Sequence, residues 1–188
     1  MLFDIGHDEL VGAVGASQVS RLSAADADRY GIHGEARDFL VTVGIPKSDS
    51  FYFWVEPFSP ERLLSTDELI GQGWQLSVNV DGWLKLGSFP VTLVALAPDG
   101  VVHQLSEETQ DMLATHSDLS SFVRTVVDVE TFLQQYVPPA DDDEAFHIRD
   151  SAMDAIQARV RSVDPLPFGS EYSEWHSIVD EIKDGSWV

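Results

Sequence analysis

Cysteine is absent from the chain. That excludes disulfides, thiolate nucleophiles and cysteine-based zinc or iron–sulfur sites together. Basic residues are scarce: 11 Lys and Arg stand against 32 Asp and Glu, so the net charge is 11 − 32 = −21. A surface of this sign repels nucleic acid and anionic lipid. It favours basic partners and speeds their association. No apolar run approaches the ~20 residues that cross a bilayer. The opening MLFDIGHDELVG has neither the basic region nor the long apolar stretch of a signal peptide. A cytoplasmic protein that binds neither membrane nor nucleic acid is the expectation.

Signatures of catalysis are missing as well. His7, His33, His103, His116, His147 and His176 form no His-Glu-x-x-His pair, and there is no Gly-x-Ser-x-Gly or P-loop. His147-x-x-Asp150 lacks further ligands, and an exposed helical pair explains it. No catalytic residue, cofactor or metal is expected, and the chain does not read as an enzyme.

What is present is a hydrophobic content of 44% over 188 residues, enough for a core. That length fits one domain spanning residues 1–188. Ser23 reads as a helix N-cap. A second short helix is predicted over about Glu35–Val43, with Gly44 closing it and Pro46 preventing continuation. The period then changes. Phe51–Val55 is a strand by composition. Leu76, Val78 and Val80 alternate with polar residues, which predicts a half-buried strand running into a hairpin at Asp81-Gly82. Trp83–Phe89 returns. Val91–Leu96 is apolar nearly throughout and suits a central strand. Pro98-Asp99-Gly100 is a turn, and Val101–Leu105 closes the meander. Asp118 caps a helix reaching Tyr136. The run Asp141-Asp142-Asp143-Glu144 opens another, where negative charge suits the helix dipole. A last helix is predicted over about Glu171–Lys183, capped by Gly185. Helices, then an antiparallel or mixed sheet of about five or six strands, then helices make an α+β fold.

The partner-binding candidates follow from chemistry and position. Most of the five tryptophans should be core. Trp54, beside Glu56, and Trp83, beside Asp81 at the turn, are the candidate interface anchors, because tryptophan is enriched at binding hot spots. Asp141, Asp142, Asp143 and Glu144 are candidates for contact with a basic partner.

Several segments, in order, resemble the SUKH superfamily, and within it the small immunity proteins encoded beside bacterial polymorphic toxins. They are Phe39-Leu40-x-x-Val43-Gly44-Ile45-Pro46, Trp83-x-x-Leu86-Gly87, Leu93–Ala97 with Pro98-Asp99-Gly100-Val101-Val102, Asp118-Leu119-Ser120-Ser121-Phe122, and Trp175 with Asp184-Gly185-x-Trp187. The family's long-helix cap is often of an Asn-Ser-Ser type, where this chain reads Thr115-His116-Ser117-Asp118; capping survives the change. The resemblance implies a SUKH-like fold and a cytosolic protein that binds a cognate toxin and blocks it. Toxins paired with this superfamily are often nucleases or nucleic-acid deaminases, and such toxins tend to be basic. Other members of the wider group are scaffolds or regulators acting through protein contact, which is the alternative reading: recognition of another basic protein or peptide.

Overall fold

The computed structural model describes all residues except 50–52, 56–57, 59–62, 91, 107–111 and 187–188. Helix α1 (His7–Val14) is followed by a 3₁₀ turn and strand β1 (Val19–Ser20). Helix α2 (Ala24–Arg29) starts at Ser23, whose hydroxyl accepts from the Asp26 N–H. Helix α3 (Gly34–Thr42) ends where Gly44 takes φ +93. A side chain at Gly44 would run into the Ser20 carbonyl, so glycine here permits both the helix stop and the close approach of β1. Strand β2 (Ile45–Pro46) pairs with β1 as a separate two-stranded ribbon that the helical reading of this region missed.

The main sheet is antiparallel throughout, in the order β3 (Ser48–Asp49), β4 (Trp54–Val55), β5 (Leu84–Ser88), β6 (Thr92–Leu96), β7 (Val102–Ser106), β8 (Met112–His116). Chain order and spatial order coincide, as in a meander. Strand β6 lies inside the sheet, buried almost throughout, as its unbroken apolar run requires. Strand β8 extends the sheet beyond the predicted end of the meander. Of the strand expected over Phe51–Val55, Phe51 and Tyr52 lie outside the described residues.

Alternation along each strand divides the sheet into two faces. Leu84, Leu86, Val94, Leu96 and Val102 face the main core with the helices. Helices α1, α2 and α3 contribute Leu10, Ala27 and Leu40 to that core, and the later helices in it are α5 (Leu119–Gln135), α6 (Asp142–Arg161) and α7 (Glu174–Asp184). Asp118 and Asp141 cap α5 and α6 through the Ser121 and Glu144 N–H groups. Gly185 closes α7 in the left-handed conformation. Trp175 is fully buried, with its ring against Phe53 and Phe89.

The opposite face carries Leu93, Ala95, Leu105 and Met112, and the segment from Leu64 to Trp83 folds over it. Helix α4 (Thr66–Gly71) opens that segment. Here the structure corrects the expected strand at Leu76–Val80. Those residues alternate between covered and exposed, but they pair with no strand. Leu76, Val78 and Val80 instead lie as a cover on the second core with Leu69 and Trp74. Asp81-Gly82 does turn, with φ +76 at Gly82, yet it joins this cover to β5 and not one strand to another. Period-two burial records contact with a flat surface; it does not require a ladder.

Candidate functional site

The sequence-predicted partner residues fall into two groups on opposite sides of the sheet. Asp81, Trp83 and Trp54 belong to the outer face and its cover. The carboxylates of Asp141–Glu144 stand at the N-terminus of α6, in the helical layer. Glu56 lies outside the described residues.

Within the first group the three residues have different surroundings. Trp83 is 9% exposed, with its ring 4.9 Å from that of His103 in the second core. Burial pushes the His103 imidazole below its ordinary pKa, with Asp99 acting in the opposite direction. Asp81 is exposed, but its carboxylate accepts from the Thr66 N–H at 2.7 Å. That bond holds its pKa down, helped by the Thr66 and Asn79 side chains. Two backbone bonds stitch the same neck of the cover, Gly82 N–H to Leu64 O at 3.0 Å and Leu64 N–H to Trp83 O at 2.8 Å. Asp81 thus fixes the start of α4 against the turn.

Trp54 is 38% exposed. It pairs with Ser88, and Ser88 with Leu93, so the three form one row across the outer face. The cover packs on Leu93 of this row, while Trp54 is not part of the second core. Between them lies a hollow of about 350 Å³, whose lining includes Trp54, Leu69, Trp74, Lys85, Ser88 and Leu93. Tryptophan pairs that line a concavity were not legible in the sequence, because Trp54 and Trp74 come together only when the cover folds.

In the second group, Asp141 serves as N-cap while Asp142, Asp143 and Glu144 are exposed in the first turn of α6. They stabilise the helix through its dipole and remain available to a partner. Beside them Phe146 is 43% exposed. A larger hollow of about 610 Å³ lies elsewhere, between the N-termini of α3 and α5 and the β6–β7 turn, with Glu35, Asp99 and Asp118 in its lining. Much of Asp118 is already engaged: its oxygens accept from the Leu2 and Ser121 N–H groups and the Ser120 hydroxyl.

Several basic side chains have partners within the chain. Arg29 pairs with Asp26, Arg37 with Asp28, Arg124 with Glu9, and Lys183 with Asp150 and Asp154. Arg159 pairs with Asp128, and Arg149 donates to the Lys183 carbonyl. The surface is left with the carboxylate excess.

One buried constellation contains a serine, a histidine and an aspartate. The Trp175 indole N–H donates to His116 Nε2 at 2.8 Å. Nδ1 therefore carries the proton and donates to Ser121 Oγ at 3.0 Å. The imidazole gives a proton to the hydroxyl and does not withdraw one, so Ser121 is not activated as a nucleophile. Burial pulls the His116 pKa down to about 3, against the weaker fields of Asp164 and Asp118. Burial pushes the Asp164 carboxyl up, but hydrogen bonds from Ser121, Ser117 and the Leu166 backbone outweigh it and hold the group low. Both His116 and Ser121 are fully buried. This network joins β8, α5 and α7 as a polar pin in the core. Sequence reading placed His116 only at the helix cap. Its partner Trp175 is 59 residues away, and no local pattern links them.

Among the described residues, no group of His, Asp and Glu is arranged to hold a metal ion, and no helix is long and apolar enough to cross a membrane. A family model described as SUKH-4 immunity protein matches residues 5–181. No curated protein and no solved structure matches the chain. The family match runs from just before α1 into α7, and so takes in both helical regions, the whole sheet and the cover. The chain belongs to the SUKH-4 immunity protein family.

Proposed function

We propose that the protein neutralises a cognate toxin in the cytosol by binding it, without catalysis of its own. The observation that carries this reading is the family match over residues 5–181. The electrostatics support a basic toxin, such as a nuclease or another nucleic-acid-modifying protein. The chain carries −21, and Arg29, Arg37, Arg124, Arg159 and Lys183 each sit beside a carboxylate of the same chain. Charge of this sign raises the encounter rate with a basic protein and competes with nucleic acid for the same cationic surface. The internal wiring of Ser121 and His116 suits a binding role, because the arrangement serves packing.

Co-expression with the toxin encoded beside the gene tests the proposal. Cells should survive, and the two proteins should elute together on gel filtration. Continued killing with no complex would reject it. Capture of a basic protein unrelated to any toxin would favour the regulatory alternative.

A further inference from the structure

One edge of the main sheet is β8, and the pairing of its neighbours fixes which of its backbone groups face outward. At the β6–β7 turn the Ala97 N–H donates to the Val101 carbonyl at 2.9 Å. Along an antiparallel strand, successive residues turn their N–H and C=O groups to opposite sides. Val101, His103 and Leu105 therefore bond toward β6, and Val102 and Gln104 toward β8. The Thr115 hydroxyl reaches the Val102 carbonyl from β8 at 3.2 Å, as this alternation requires. Gln104 stands opposite Leu113, so Leu113 bonds inward to β7. Met112 and Ala114 then point their N–H and C=O groups off the sheet. Among the described residues, none is bonded to these two donors and two acceptors. Both residues are half-buried. The open stretch has a defined end: Thr115 is an extra residue in the register between Ala114 and His116, and beyond it the Ser117 N–H is taken by Asp164 at 2.8 Å. Sheet edges are ordinarily blunted by lysine, other charged side chains or proline. Met112-Leu113-Ala114-Thr115 has none of these.

We infer that the edge of β8 receives an extended strand of the toxin, bonded to the chain through the N–H and C=O groups of Met112 and Ala114. The inference rests on the toxin-binding reading and names the mode of contact. The geometry selects an extended backbone: free groups on residues two apart, all on one side, match the repeat of a strand added to a sheet. A helix bonds its own backbone internally and offers no such row. Charge selects between the strands that could dock there. A second copy of this chain would bring its own −21 against the first, whereas a basic toxin meets a surface of opposite sign.

The test follows amide exchange residue by residue in the full, unaltered chain by nuclear magnetic resonance. The probe is the toxin encoded beside the gene, carrying an inactivating substitution. In the free chain the Leu113 N–H should exchange slowly, and those of Met112 and Ala114 fast. Binding should slow exchange at Met112 and Ala114 by about tenfold or more. Ala114→Pro removes an outward donor and leaves the bonds to β7, so it should weaken binding by about tenfold. Ala114→Ser keeps the backbone and should leave binding within about twofold. Melting curves show that the variants are folded, and the exchange measurement does not depend on them. If the complex forms while Met112 and Ala114 exchange as fast as before, the inference is overturned and the toxin-binding reading stands. The same holds if the two amides are already slow in the free chain, or become slow as the chain alone is concentrated, because the edge is then filled from within or by a second copy. If no complex forms with the unaltered chain, both fall.

Discussion

His116 is the residue whose chemistry is most constrained. It is neutral in the fold because its burial removes the solvation a cation needs, and its two ring nitrogens are committed to Trp175 and Ser121. Its folded pKa, about 3, lies below the ordinary 6.5. The unfolded chain therefore binds the proton first, so the stability from this residue is complete above about pH 6.5 and declines as pH falls toward 3. The slope is about 1.4 kcal/mol per pH unit for one group. Asp164 adds to acid sensitivity only below its ordinary 3.8. Denaturation of the native chain between pH 7 and 4.5 should show this decline. His116→Gln should be less stable at pH 7, by roughly 1–3 kcal/mol, and should have a flatter profile over the same range. An equally steep profile in the variant would place the acid sensitivity elsewhere. Gly87 offers a second residue-scale prediction. A Cβ there would collide with the Trp54 carbonyl, in the pairing of β4 with β5. Gly87→Ala should cost about 1–3 kcal/mol, read as a lower melting temperature, and an unchanged melting temperature would mean that the two strands can part there at no cost.

At the scale of elements, the two acidic caps differ in what they hold. The Asp141 side chain accepts from the Glu144 N–H in the exposed first turn of α6. Asp118 caps α5, accepts from the Ser120 hydroxyl and ties down the Leu2 N–H. Asp141→Ala should cost about 1 kcal/mol. Asp118→Ala should cost more, about 2 kcal/mol or above, and should raise amide exchange at Leu2 and Phe3. Equal losses would mean that the tie to the chain start contributes nothing. These caps were legible in the sequence because a cap is a local contract between a side chain and an N–H three residues on. Helices α5, α6 and α7 followed for the same reason, together with their apolar spacing. Sheet membership was less legible. The alternation at Leu76–Val80 matched a strand, but the partner for those residues is the outer face of a sheet already complete in its pairing. Strands β1 and β2 hold two residues each, too few for any period to show. Phe146 reads as a helix-face apolar residue, yet it flanks the buried stripe of Ala145, Met153, Ile156 and Val160 and stays exposed.

For the molecule as a whole, the sequence shows the sign of the chain's own charge more readily than any docking face. The excess of acid was visible by counting. The structure adds that several of the basic residues are paired with carboxylates or backbone carbonyls of the same chain. Trp54 could be nominated from its residue type, whereas the hollow beside it depends on Trp74 and Leu69 arriving from the cover. A partner steered by this surface should associate faster at low salt. Raising the ionic strength from about 0.01 M to 1 M shortens the Debye length from about 30 Å to about 3 Å, and the association rate with the toxin should fall while dissociation changes little. An association rate indifferent to salt would remove steering from the account. The central claim, that the chain disarms its toxin by binding alone, is met most directly by titrating the purified toxin with the purified chain and following toxin activity. Inhibition should reach completion at a fixed stoichiometry, and intact, unmodified toxin should regain activity when the complex is dissociated. Toxin that stays fully active in the presence of excess chain, or that is recovered permanently altered, would contradict it.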